Sequence, residues 1–148
     1  MLEVLELLVA NPWLTGRATV AVLARKIDQE KPTLLLDESD AAFKSGREYA
    51  EALRGILNTG FRAGGSHSVC VGQGANISYQ DLETYCPKAI AGIGRLPGTV
   101  ADRSVDFQMK RKTRAEKVER FRRKRTKPDA DVLREALAMW AETTQCYD

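Results

Sequence analysis

The sequence predicts an α/β domain built in three layers, with a small helical piece behind it. Three observations carry this expectation. Short apolar runs of strand length alternate with segments whose apolar residues recur at helical spacing. The run Thr33-Leu34-Leu35-Leu36 is closed by Asp37-Glu38, the pattern of a parallel strand buried on both faces. After Met109 the composition changes: Lys110–Lys127 holds eleven basic residues against two acids, Glu116 and Glu119. The division follows from that shift, with 1–109 as the α/β core and 110–148 as a basic helical lid.

Each element has its own signal. In residues 1–9, Leu2, Leu5, Leu8 and Val9 share a face and Glu3 and Glu6 lie on another, which predicts a helix ended by Asn11-Pro12. A second helix over Val20–Gln29 turns Val20, Leu23, Ala24 and Ile27 inward. After the Thr33–Leu36 strand, Ser45 and Glu48 have the spacing of a capping box. The helix they open runs to Thr59, burying Tyr49, Leu53, Ile56 and Leu57, with Gly60 as its C-cap. Ser68–Val71 and Lys88–Ile93 read as further strands, and Val105–Met109 alternates apolar and polar residues as a half-exposed strand does. Thr113 and Glu116 form a second capping box, predicting a basic helix to Arg125. Pro128 separates it from a last helix whose stripe of Leu133, Ala136, Leu137 and Trp140 is expected to pack on the lid.

The 148 residues suffice for one domain with its own core, and 43% apolar against 29% charged residues is the balance of an ordinary globular chain. No apolar run approaches the ~20 residues that span a bilayer, so no membrane partner is expected. Residues 1–6 carry acids and no basic stretch of the kind that opens a signal peptide, which places the chain in the cytoplasm. Cys70, Cys86 and Cys146 are odd in number and widely scattered, and His67 is the only histidine. Neither a disulfide framework nor a zinc site follows from that spacing.

The sharpest chemical signal is Thr33–Glu38. An apolar strand ending in Asp-Glu is the Walker B pattern, which fixes two carboxylates at the C-terminal edge of a sheet, where open α/β folds bind ligands. In that reading Asp37 holds Mg²⁺ and Glu38 orients or deprotonates the water that attacks a γ-phosphate. A buried strand ending in an acidic turn is the plain alternative.

The stretches PTLLLDESD, EALRGILNTGFRAGG and PKAIAGIGRLPGTVADRSVDFQMKRKTRAEKVERFR follow one another in the order of a known family. Together they resemble the ATPase-like domain of unknown function 3631, found beside primase and helicase modules in phages, plasmids and actinobacterial proteins. The resemblance covers roughly residues 1–125. It implies a P-loop NTPase-like three-layer sandwich, ATP and Mg²⁺ as cofactors, and a place in DNA replication. It also implies that Arg103, in Leu96–Arg103, is an arginine finger acting in trans within a homo-oligomer. Asn58 and Arg62 fall near the nucleotide edge in the same scheme, where they would contact nucleotide or DNA. The strand Lys88–Ile93 departs from the pattern of related ATPases, because it leads to Gly92-Ile93-Gly94 and carries no Asn or Thr sensor.

A phosphate loop needs G-x-x-x-x-G-K-[ST]. Gly60–Gly65 lacks the lysine, and Gly92–Gly98 lacks both the lysine and the strand-to-helix setting. By the resemblance, residues 1–9 match the helix that follows the loop. The expectation is therefore a partial fold without its first strand and phosphate loop, from a truncated frame, a misassigned start or a remnant gene, and inactive as an ATPase alone.

The basic segment offers a second reading. Lys110, Arg111 and Lys112, with Arg122, Arg123 and Arg125, bracket the expected helix and would neutralise DNA phosphates. A nucleic-acid-binding module without ATPase chemistry, or a nonfunctional remnant, is the alternative to the ATPase reading.

Overall fold

The computed structural model describes residues 1–44, 46–72 and 76–144. A parallel sheet lies at its centre, in the order β1 (Pro12–Thr15), β2 (Thr33–Leu36) and β5 (Lys88–Ile90). β2 is the middle strand, with Trp13 opposite Leu34 on one side and Ala89 opposite Leu35 on the other. Leu34, Leu35 and Leu36 are all completely buried. Alternation along a strand sends Leu34 and Leu36 to one face and Leu35 to the other. A strand apolar on both faces is stable only when both are covered, which is why this run sits at the centre.

On the Leu34 and Leu36 face, α2 (Val20–Glu30) supplies Leu23, Ala24 and Ile27, and α4 (Arg47–Thr59) supplies Leu53, Ile56 and Leu57. Thr19 caps α2 by accepting from Val22 N–H, and the Tyr49 hydroxyl on α4 donates to Ala18 O at 2.7 Å. Beyond these helices lies an antiparallel hairpin of β3 (Ser66–Val71) and β4 (Ser78–Glu83), anchored by buried Leu82 and by Asp28, whose carboxylate accepts from Glu83 N–H. The other face is covered by α1 (Leu2–Leu8), which buries Leu2 and Leu7. The long helix α6 (Arg123–Thr143) packs on α1 and is tied to it by an ion pair between Arg123 and Glu6. Two short helices complete the chain, α3 (Ser39–Lys44) and α5 (Gly98–Ala101).

The two edges of the sheet differ. Thr33 N–H donates to Asn11 O and Asp37 N–H to Thr15 O, so Pro12 and Leu14 of β1 face outward. Pro12 has no N–H to offer another strand, a usual protection of a sheet edge. On β5, Leu34 N–H donates to Pro87 O and Ala91 N–H to Leu36 O, which turns the backbone groups of Lys88 and Ile90 outward. Among the described residues these find no backbone partner.

Several expectations are corrected. β1 was hidden by Asn11-Pro12, and β4 by its polar sequence SYQDLE. The third strand ends at Ile90 rather than Ile93. Ser45 lies outside the described residues, and α4 begins at Arg47 with Gly46 as its N-cap. Val105–Met109 forms no strand, and Val105, Phe107 and Met109 are each more than 70% exposed. The basic helix from Thr113 does not form. Its capping contact exists, Thr113 N–H donating to the Glu116 carboxylate at 2.7 Å, but only a single turn follows. A short helix needs an apolar face packed on something, and Val118 is exposed. The last helix starts at Arg123 and runs through Pro128 near its N-terminus, and its Leu133, Leu137 and Trp140 are exposed rather than packed on a lid.

Because Leu35 is enclosed between β1, β5 and α1, Leu35→Ala is expected to lower unfolding free energy by roughly 2–5 kcal/mol. Urea denaturation followed by circular dichroism reads this as a lower midpoint with an unchanged slope. A loss below about 1 kcal/mol would show that the α1 face is not closed.

Candidate functional site

Two groups of polar side chains stand out, one at each end of the sheet. The first follows β2. Asp37 and Glu38 leave the buried strand directly into solvent, between the end of β1, where Asp37 N–H meets Thr15 O, and the end of β5, where Ser39 N–H meets Ala91 O at 3.0 Å. The Asp37 carboxylate accepts from Glu38 N–H at 2.9 Å through Oδ1, and Oδ2 has no hydrogen bond among the described residues. Glu38 has φ of 51°, a left-handed conformation that costs a non-glycine residue roughly 1–2 kcal/mol. Its carbonyl accepts from Ala41 and Ala42 N–H, so the residue doubles as the start of α3.

The neighbouring loop is drawn tightly against this turn. Asp40 accepts from Ile93 N–H at 3.1 Å, and a Cβ at Gly92 would fall 2.3 Å from the Ser39 hydroxyl oxygen. Glycine is thus the residue that lets the end of β5 close on the acidic turn. Sequence reasoning reached Asp37 and Glu38 and missed Ser39, Asp40 and Gly92. The only available signal was that the acidic pair extends to Asp-Glu-Ser-Asp.

The donor set at this turn is all oxygen. Among the described residues no group of three or more His, Cys, Asp or Glu side chains could enclose a metal. One or two carboxylates with water completing the shell is the arrangement Mg²⁺ accepts and zinc does not. A nucleotide finds less: no lysine-bearing glycine loop exists in the sequence to grip its phosphates.

The second group lies at the far end of α4. Asn58 Nδ2 donates to Thr99 Oγ1 at 3.2 Å, and Arg103 donates to Thr99 O at 2.6 Å. The guanidinium carbons of Arg103 and Arg62 lie 4.9 and 5.7 Å from the centroid of the Phe61 ring. Asn58, Phe61, Arg62, Arg103 and the Ala63-Gly64-Gly65 turn line an open cleft of about 590 Å³. The structure therefore brings Asn58, Arg62 and Arg103 together and leaves Asp37 and Glu38 elsewhere. Gly60, which ends α4, packs on the chain that enters β5: a Cβ there would fall 2.1 Å from Thr84 O, and Lys88 Nζ donates to Gly60 O at 2.7 Å. Asp37 follows the last residue of β2, at the opposite end of a sheet roughly 10 Å long at ~3.3 Å per residue.

Lys88 was not expected in any role. Its ammonium donates to three carbonyls, those of Gly60, Thr84 and Cys86, at 2.7, 2.9 and 3.0 Å. All three protons are used, which makes a half-buried lysine tolerable and ties the end of α4 to the chain entering β5. Burial lowers its pKa below the usual lysine value, with the Cys86 thiol acting in the opposite direction.

The basic residues are spread out. Arg111, Lys112, Arg122 and Arg125 are exposed, whereas Lys110 pairs with Glu116 at 3.2 Å and Arg123 pairs with Glu6. They lie on an irregular segment and the first turn of α6, not along one helix face. No protein family, no curated protein and no solved structure matches the chain.

The Lys88 arrangement predicts a pH dependence. A lysine whose pKa is lower folded than unfolded binds fewer protons when folded, so its contribution to stability rises with pH in the window just below the ordinary lysine value. Melting temperatures at neutral pH and near pH 9.5, compared between the native chain and Lys88→Met, should show the native chain gaining relative to the variant at the higher pH. A difference independent of pH would contradict the buried, charged state of Lys88.

Proposed function

We propose that this chain carries the carboxylate half of a P-loop ATPase site, of the kind found in replication-associated ATPases. The observation that carries the reading is the placement of Asp37 and Glu38 immediately after a fully buried central strand, between the ends of its two parallel neighbours. In this reading Asp37 Oδ2 binds Mg²⁺, directly or through water. The metal, when bound, neutralises charge on the phosphates. Glu38, whose carboxylate has no partner among the described residues, turns it to the attacking water and accepts its proton. The left-handed backbone at Glu38 is consistent with that task, because it redirects the side chain away from the line of the strand.

The phosphate grip has to come from residues other than these 148, since none supplies it. The open edge of β5 favours a particular arrangement. A further parallel strand beside Lys88 and Ile90 would satisfy their outward backbone groups, and a glycine-rich loop at its C-terminal end would open at the same edge of the sheet as Asp37, with β5 between them. Val105–Met109, alternating and exposed, has the pattern of a strand that would pair on the far side of such an addition. Arg103, at the other end of the sheet, is suited to a nucleotide held by another copy of the chain and not to one held by Asp37 beside it.

Two phosphate-release measurements with Mg-ATP test the reading. The chain alone should show no turnover. A chain extended at its N-terminus by a strand and a G-x-x-x-x-G-K-[ST] loop should hydrolyse ATP, with Glu38→Gln lowering kcat by about 10²–10⁴-fold. Turnover by the chain alone, or an extended chain indifferent to Glu38→Gln, would refute it.

A further inference from the structure

The cleft at the end of α4 has features that neither the fold nor the acidic turn requires. Arg62 and Arg103 are far apart in sequence, yet both guanidinium groups rest against one ring, that of Phe61. Some cations of the fold are matched, among them Lys31 with Glu83, Arg47 with Glu51, Arg123 with Glu6 and Lys127 with Asp131. Arg62 and Arg103 meet no carboxylate among the described residues. Arg103 spends one N–H on Thr99 O, and the rest of its fork is unused. Two cations on one exposed ring raise the local positive potential, which an anion bound in the cleft would neutralise.

The surroundings are fixed rather than loose. Gly60 is held by the Lys88 ammonium at 2.7 Å. A Cβ at Gly65 would meet Thr59 O at 1.8 Å, so only glycine lets the turn after Arg62 fold back this closely. Asn58, on the wall of the cleft, has its Oδ1 shielded from water and without a partner among the described residues. The Thr99 hydroxyl can donate as readily as it accepts, so the amide can equally stand the other way, with Nδ2 as the unpaired atom. In either orientation one polar atom of the wall lacks a partner.

We infer that Arg62 and Arg103 form a binding site for a phosphate-type oxyanion. Two planar forks suit the several equivalent oxygens of a phosphate, and arginine is the cation best matched to that geometry. The chain leaves the cleft at Ser104 and continues exposed through Lys110, Arg111 and Lys112, which extends the positive field outward. The phosphate can belong to a free anion or to the backbone of a single-stranded nucleic acid. The site stands apart from Asp37 and Glu38 of the same chain and binds its anion without ATP hydrolysis, although it shares Arg103 with the contact proposed above to a nucleotide on another copy.

The experiment titrates the full chain with inorganic phosphate by calorimetry and with a labelled single-stranded oligonucleotide by fluorescence anisotropy. Native protein, R62Q/R103Q, R62K/R103K and Asp37→Asn are compared. Both arginines are on the surface, so unchanged thermal melting verifies folding. If the source is nucleic acid, R62Q/R103Q weakens oligonucleotide binding tenfold or more and lowers its salt slope by about 1.4, at ~0.7 per phosphate contact. R62K/R103K then falls between. If the source is a free anion, inorganic phosphate binds the native chain and not R62Q/R103Q, and oligonucleotide binding is the same in both. Asp37→Asn leaves either result unchanged, which separates this site from the proposed ATPase site. Phosphate and oligonucleotide both indifferent to R62Q/R103Q would overturn the inference, as would losses that appear equally in Asp37→Asn.

Discussion

Burial of Leu34, Leu35 and Leu36 on both faces of β2 is the constraint on which the remaining architecture depends. One strand cannot hide three consecutive leucines unless helices lie above and below it and strands lie on either side. That requirement brings α2 and α4 to one face, α1 to the other, and β1 and β5 alongside. It also fixes where the polar chain resumes. Asp37 and Glu38 are the first residues beyond the buried run, so the packing that stabilises the domain also decides where its carboxylates stand.

Elements with a complete apolar face were legible from the residues alone. Leu23, Ala24 and Ile27 marked α2, Leu53, Ile56 and Leu57 marked α4, and the leucine run marked β2. Elements whose signal is held by neighbours were not. β1 is four residues opened by a proline, and only its pairing with Thr33–Leu36 makes it a strand. β4 has a polar sequence and buries little beyond Leu82 and part of Glu83, so its partner β3 defines it. The reverse errors are as informative. Val105–Met109, Thr113–Arg125 and the stripe at Leu133, Leu137 and Trp140 have the right periodicities but no surface against which to bury them. Pattern states what a segment can do when it is covered; it does not supply the cover.

The candidate sites divide in the same way. Asp37 and Glu38 could be found because a strand ending in two acids is a local pattern. The cluster of Asn58, Arg62 and Arg103 could be suspected residue by residue, but its grouping around Phe61 depends on a turn closed by Gly65 and on a chain that returns from the opposite end of the sheet. Lys88 and its three carbonyls left no mark in the sequence. Two consequences follow for function. The acidic turn and the arginine cleft of one chain lie toward opposite ends of the sheet. The acidic turn also offers a metal its carboxylates without offering a nucleotide its phosphate grip, so a partner element at the β5 edge is the natural complement.

The central claim is that the β2 strand presents Asp37 and Glu38 as a divalent-cation site at the C-terminal edge of the sheet. Nuclear magnetic resonance of the isotope-labelled chain during a titration with Mn²⁺, a paramagnetic stand-in for Mg²⁺, tests it most directly. The account predicts selective broadening of amide signals at Gly16, Asp37–Ser39 and Gly92–Ile93, abolished by Asp37→Asn. Broadening centred on other acids such as Asp81 or Asp129, with the signals around Asp37 unaffected, would contradict it.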